Sequence, residues 1–223
     1  MIRSIKAIFL FVLLLNIGAA HGQKPAYWDD IQKFKQQDSI VFPGPGKILF
    51  VGSSSFTKWT DVQNYFPGYS IINRGFGGST IVDVIRYESD IIFPYKPKQI
   101  IIYCGENDIA NDTTVTDKIV FERFKQLYVD IREDQPTVPI VYISMKPSPS
   151  RWHMRHKTME GNRLIKKFLE KKNRNGRFVN VWDAMLGPDG QPMPDIFIQD
   201  RLHMNAKGYA IWQKILLPYL IKN

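Results

Sequence analysis

Five short stretches of this chain keep an apolar centre with no polar alternation, and that limits its fold more than any other feature. They are Lys47 to Val51, Ser70 to Asn73, Gln99 to Cys104, Pro139 to Ser144 and Phe178 to Val181. A strand with one wet face alternates apolar and polar residues, whereas a strand covered on both faces does not. Helical patterns lie between these stretches. Val120, Phe124, Leu127, Tyr128 and Ile131 recur at the spacing of one helix face. Thr80 followed by Asp83 predicts a capping box that opens another helix. Thr158 to Lys172 reads as a third helix. Asn205 caps a last one through Tyr209, Trp212 and Leu216, stopped by Pro218. Strands alternating with helices predict an α/β protein: a five-stranded parallel sheet with helices on both faces. No linker interrupts the sequence after residue 46, so 47–223 read as one domain. Residues 23–46 form a lead-in, with a short helix from Tyr27 to Gln37 and a break at Pro43-Gly44-Pro45-Gly46.

The first 22 residues are a different object. Arg3 and Lys6 precede an apolar run from Ile8 to Leu15, and Ala20-His21-Gly22 gives a small-x-small pattern before Gln23. This is the layout of a secretory signal peptide cleaved near Gly22/Gln23, and it predicts a secreted or periplasmic protein. No later run approaches the length of a membrane span, so no stable membrane insertion is expected after cleavage. Loss of Arg3 and Lys6 lowers the formal charge from +9 to +7. A basic chain invites a nucleic-acid reading. The densest basic stretch, Lys166 to Arg177, surrounds Ile165, Phe168 and Leu169 as a solvated helix face does, so no nucleic-acid partner is expected. Cys104 is the single cysteine, which excludes an internal disulfide; its apolar strand setting reads as a buried hydrophobe rather than a nucleophile.

The polar and glycine-rich clusters follow the strands. Gly52-Ser53-Ser54-Ser55 follows the first, Asn73 to Thr80 the second and Gly105-Glu106-Asn107-Asp108 the third. In a parallel sheet these strand ends share one edge, where open α/β sheets bind ligands. Ser54 on a tight turn offers a hydroxyl and a backbone N–H. Gly78 before a capped helix offers a second N–H, and Asn107 offers a side-chain amide. Together they can make an oxyanion hole. A serine nucleophile needs a base. His203 lies three residues after Asp200, close enough for the carboxylate to hold one ring nitrogen and leave the other for Ser54. His153, His156 and Glu160 read as a solvated helix entry rather than a metal site.

Gly52 to Ser55, Asn73 to Gly78, Gly105 to Asp108 and Asp200-Arg201-Leu202-His203 together resemble the four blocks of the GDSL/SGNH hydrolase superfamily. The glycine loop and the Asp-x-x-His block are most similar to its platelet-activating-factor acetylhydrolase-like branch. The resemblance spans residues 52–203. It implies a three-layer α/β/α flavodoxin-like sandwich and ester hydrolysis without a cofactor or metal. It also implies Ser54 as nucleophile, His203 as base, Asp200 as its partner, and Ser54, Gly78 and Asn107 as the oxyanion hole. Ser53 stands where the family usually has Asp, and Ser53 or Ser55 remains an alternative nucleophile. The expected substrate is a small-molecule or glycan ester with a short acyl group, acetyl foremost. Phe76, Ile109 and the stretch from Met145 to Trp152 are candidate pocket walls. Arg74 and Arg151 are candidates to bind an acidic substrate. The alternative function is a decayed hydrolase scaffold that binds glycan or lipid. The sequence does not fix the oligomeric state.

Overall fold

The computed structural model describes residues 24–171 and 174–222; the expected signal peptide lies outside them. Five strands, β1 (Ile48–Gly52), β2 (Ile71–Gly75), β3 (Gln99–Tyr103), β4 (Ile140–Ile143) and β5 (Gly176–Val179), form one parallel sheet in the order β2-β1-β3-β4-β5. The order reverses beside β1, the switch point at which such sheets open a ligand crevice.

The unbroken apolar strands divide their side chains between two cores, because successive residues point to opposite faces. Leu49, Val51, Ile100, Ile102, Ile140 and Tyr142 face one cluster; Ile48, Phe50, Ile101, Tyr103, Val141 and Ile143 face the other. Over the first face lie α1 (Trp28–Ile40), α4 (Ile81–Arg86), α5 (Glu88–Ile91), α6 (Glu106–Asn111), α7 (Asp117–Asp134) and α8 (Arg155–Leu169). Over the second lie α2 (Ser54–Thr57), α3 (Val62–Tyr65) and α9 (Ala206–Leu216). The expected α7 stripe is buried throughout, from Val120 to Ile131. Each such side chain contributes about 1.5–3 kcal/mol when fully removed from water. These are the three layers that the resemblance implied.

Local signals act where the sequence placed them. Thr80 accepts from the Asp83 N–H while the Asp83 carboxylate accepts from Thr80, closing the capping box of α4. The Asn205 side chain accepts from the N–H groups of Lys207 and Gly208 at the head of α9. Several boundaries differ from expectation; α1, for one, runs to Ile40 rather than Gln37. β2 runs on to Gly75, because Arg74 and Gly75 continue the register opposite Val51 and Gly52. β5 starts at Gly176, paired with Ile140. α8 starts at Arg155, directly after a 3-10 turn over Pro149–Met154. The lead-in packs onto the domain: Ile31 is fully buried in the first core, and Asp38 bonds Arg74 and Tyr95. Among the described residues no helix is long and apolar enough to cross a membrane.

Candidate active site

Gly52 closes β1 at φ 141°, where a Cβ would lie 1.9 Å from the Tyr103 carbonyl oxygen. Only glycine lets the chain leave the sheet so close to β3. The Ser53 N–H donates to that same oxygen at 3.0 Å, and Ser54 then opens α2 with its hydroxyl at the sheet edge. The C-terminal loop brings His203 to it. Ser54 Oγ and His203 Nε2 are 2.8 Å apart, and His203 Nδ1 and Asp200 Oδ2 are 2.6 Å apart. A carboxylate only accepts, so Nδ1 carries the ring proton and Nε2 is free to accept from the Ser54 hydroxyl.

The Asp200 turn is built locally. Arg201 takes φ 55°, which swings the chain so that Asp200 Oδ1 accepts from the N–H groups of Leu202 and His203, each at 2.9 Å. Partial burial pulls the Asp200 carboxyl upward. The hydrogen bonds from His203 and Leu202 outweigh it and bring the pKa down to about 2. Asp200 is therefore charged at neutral pH and positioned to stabilise a protonated imidazole.

The expected oxyanion donors come from three segments. Gly78, at φ 86°, follows the β2 loop, and among the described residues neither its N–H nor that of Ser54 has a protein acceptor. The Asn107 side-chain amide, on α6, donates to Ser53 Oγ at 2.7 Å and to the Ser79 carbonyl at 3.0 Å. Asp108 braces this edge. It accepts from the Ile81 N–H at 2.9 Å and pairs with Arg123 at 2.7 Å, holding the head of α4 against α6. Burial pushes the Asp108 carboxyl above its ordinary value, with Arg123 opposing. Cys104 is buried, and desolvation drives its thiol well upward, which leaves it un-ionised.

Four expected substrate contacts are held by the protein's own groups. Arg74 is turned into the protein, where Asp38, Tyr95 and the Asn73 carbonyl hold its guanidinium. Arg151 is likewise engaged, by Asn107 Oδ1 at 2.9 Å and Glu106 Oε1 at 3.1 Å. The Arg74 guanidinium is thus occupied inside the protein, while that of Arg151 is bonded to the site itself. Phe76 and Ile109 are no more than 3% exposed and belong to the first core, so they back the pocket wall rather than form its surface.

Other residues join the site without having been expected there. The lead-in supplies Tyr27, whose backbone sits at φ 65° just before α1. Its ring meets Phe76 edge-on at 5.4 Å, and its hydroxyl lies 3.3 Å from where a Cβ on Gly78 would be. Beneath Asn107, Glu106 pairs with Lys146 at 3.0 Å and with Arg151, and accepts from the Tyr103 hydroxyl at 2.6 Å. An acid beside the candidate Asn, and a lysine after an apolar strand, were the only sequence signals for this cluster.

A sheet between two helical layers, a serine at the first strand end and a histidine–aspartate pair on a late loop make up the candidate site. The GDSL-like Lipase/Acylhydrolase family matches residues 38–211, and the chain belongs to it. It is accordingly a carboxylic ester hydrolase. A Streptococcus pneumonia protein provisionally described as a platelet activating factor shares the fold at TM-score 0.75 and 22% identity, over 86% of this chain and 92% of that one. A Bacteroides fragilis protein provisionally described as an acylhydrolase gives 0.72 and 20%, over 86% and 96%. Axe2, an acetylxylan esterase from Geobacillus stearothermophilus, gives 0.62 and 19%, over 78% and 94%. No curated protein matches the sequence.

Proposed function

We propose that the protein is an exported serine esterase that removes short acyl groups, acetyl foremost, from a small-molecule or glycan alcohol. The observation that carries this reading is the unbroken relay Ser54 Oγ–His203 Nε2 and His203 Nδ1–Asp200 Oδ2, at 2.8 and 2.6 Å. Ser54 attacks the ester carbonyl carbon while His203 takes its proton. The negative charge gathers on the carbonyl oxygen, which the N–H groups of Ser54 and Gly78 receive. The Asn107 amide joins them by exchanging its bond to the Ser53 hydroxyl for one to the oxyanion. The C–O bond breaks, and the alcohol leaves with the proton from His203. Water then attacks the acyl group on Ser54, with His203 again accepting the proton, and the acid departs.

A short acyl group is supported by Tyr27, whose phenol stands over Gly78 with Phe76 behind it. An acetylated sugar fits the acetylxylan esterase among the proteins of like fold. Export is supported by the basic start and apolar run of residues 1–22.

A fluorophosphonate probe, which reports an activated serine, is expected to label the wild type and not Ser54→Ala. Aryl acetate is expected to outpace aryl butyrate and octanoate. Labelling that persists in Ser54→Ala but vanishes in Ser53→Ala or Ser55→Ala would move the nucleophile. Equal rates for all three chain lengths would remove the acyl-size reading.

A further inference from the structure

Asn107 can help an oxyanion only if its NH2 end, and not its carbonyl, faces the nucleophile. Two neighbours decide that orientation. Arg151 is a donor only, so the atom 2.9 Å from its Nη2 is the amide oxygen. The Ser79 carbonyl is an acceptor only, so the atom 3.0 Å from it is the amide nitrogen. The nitrogen is thereby turned towards Ser53, one residue before the nucleophile, and donates its second hydrogen to that hydroxyl at 2.7 Å, the bond an oxyanion would replace.

Arg151 is itself held from beneath. Its Nη1 pairs with Glu106 Oε1 at 3.1 Å, and Glu106 Oε2 takes Lys146 and the Tyr103 hydroxyl. The Glu106 and Lys146 side chains are only 7% and 2% exposed, so water does not compete for these bonds. Burial pulls the Glu106 carboxyl upward, but Lys146, Arg151 and Tyr103 outweigh it and hold it below the ordinary carboxylate range. The loop carrying Arg151 is tied to the catalytic loop as well: the Ser150 N–H donates to the Arg201 carbonyl at 3.1 Å.

We propose that Arg151, fixed by Glu106, is a positioning residue of the oxyanion hole: it orients and polarises the Asn107 amide. This rests on the serine-esterase reading above. A cation on the amide oxygen draws electron density from the nitrogen and strengthens its N–H as a donor. The benefit is largest when the carbonyl oxygen becomes charged, so it belongs to the transition state rather than to substrate binding.

The test is a double-mutant cycle in steady-state aryl-acetate hydrolysis, using wild type, Arg151→Ala, Asn107→Ala and the double variant. Arg151→Ala is expected to lower kcat roughly ten- to a hundredfold, less than loss of the donor itself, with KM within about twofold. In the Asn107→Ala background the same change should cost less than about twofold, because nothing is left to position. Added guanidinium ion should restore activity to Arg151→Ala and not to the double variant. Full activity in Arg151→Ala, multiplicative losses in the double variant, or a rise in KM at constant kcat would each overturn the proposal. Arg151→Lys keeps a cation beside Glu106 and runs through the same cycle if Arg151→Ala does not fold. An active Ser54→Ala would defeat the esterase reading; an inactive Ser54→Ala with an additive cycle would defeat only the role of Arg151.

Discussion

Asp200 and His203 stand at the rim, 41% and 15% exposed at their side chains, while Glu106 and Lys146 lie almost wholly inside. The two halves of the site are built by opposite means. The Asp200–His203 part of the relay is one turn of four residues, in which each bond closes over two or three positions, and only the bond to Ser54 is long in sequence. The oxyanion half draws on the ends of β1 and β3, the glycine loop, α6 and the segment after β4, with contacts across 40, 44 and 54 positions. A solvent-exposed turn can be reorganised at little cost to the fold. A buried ion cluster cannot, because each charge removed strands another in low dielectric.

The sharpest break should come at the relay. Ser54→Ala is expected to cost on the order of a million-fold in kcat while leaving the thermal melt unchanged, since the hydroxyl supports no core contact. A melt that falls with activity would mean the serine also holds its turn together. Asn107→Ala should be the next largest, at roughly a hundred- to a thousandfold in kcat with KM nearly constant. If KM carries the loss instead, Asn107 binds ground-state substrate and the two halves do not divide as described.

Stability should separate the halves in the other direction. Glu106→Gln leaves Lys146 and Arg151 without their counter-charge and is expected to cost about 3–5 kcal/mol at neutral pH. Because the folded Glu106 pKa lies below its unfolded value of about 4.5, its contribution is present above that value. It is lost as pH falls through the folded value. Melting temperatures taken at descending pH should therefore show the gap between wild type and Glu106→Gln closing in acid. A gap that stays constant would mean that the charge of Glu106 does not matter. Asp200→Asn should move the melt less, since the side chain is at the rim and an amide oxygen can still accept from Leu202 and His203. The smallest effect concerns chain length. Tyr27→Ala should raise turnover of aryl butyrate relative to acetate several-fold without lowering acetate turnover, and an unchanged ratio would remove Tyr27 from the acyl wall.

The same contrast explains what the sequence could show. The strands were legible because burial on both faces removes polar alternation, as in Ile100-Ile101-Ile102. Thr80 and Asn205 were legible because a cap acts within three residues. The Asp200–His203 pair was legible for the same reason. Arg74, beside the glycine loop, and Arg151, in the segment after β4, were ambiguous because an arginine looks the same in sequence whether it faces solvent or turns inward. Only Asp38, 36 positions away, and Glu106, in another segment, settle the matter. Tyr27 had no signal at all, since nothing near residue 27 indicates that its ring will reach Phe76 and Gly78.

Ser54 and His203 are 149 positions apart, and the Tyr209 hydroxyl of α9 donates to the Ser55 carbonyl at 2.9 Å across 154. During synthesis the serine therefore emerges long before its base. Every strand of the sheet precedes residue 203, so the nascent chain passes through a lengthy stage with its nucleophile made and its general base still unmade. Under the proposed mechanism the last segment to be made is the one that completes the site, so hydrolysis would report that the C-terminal turn and α9 have docked on α2.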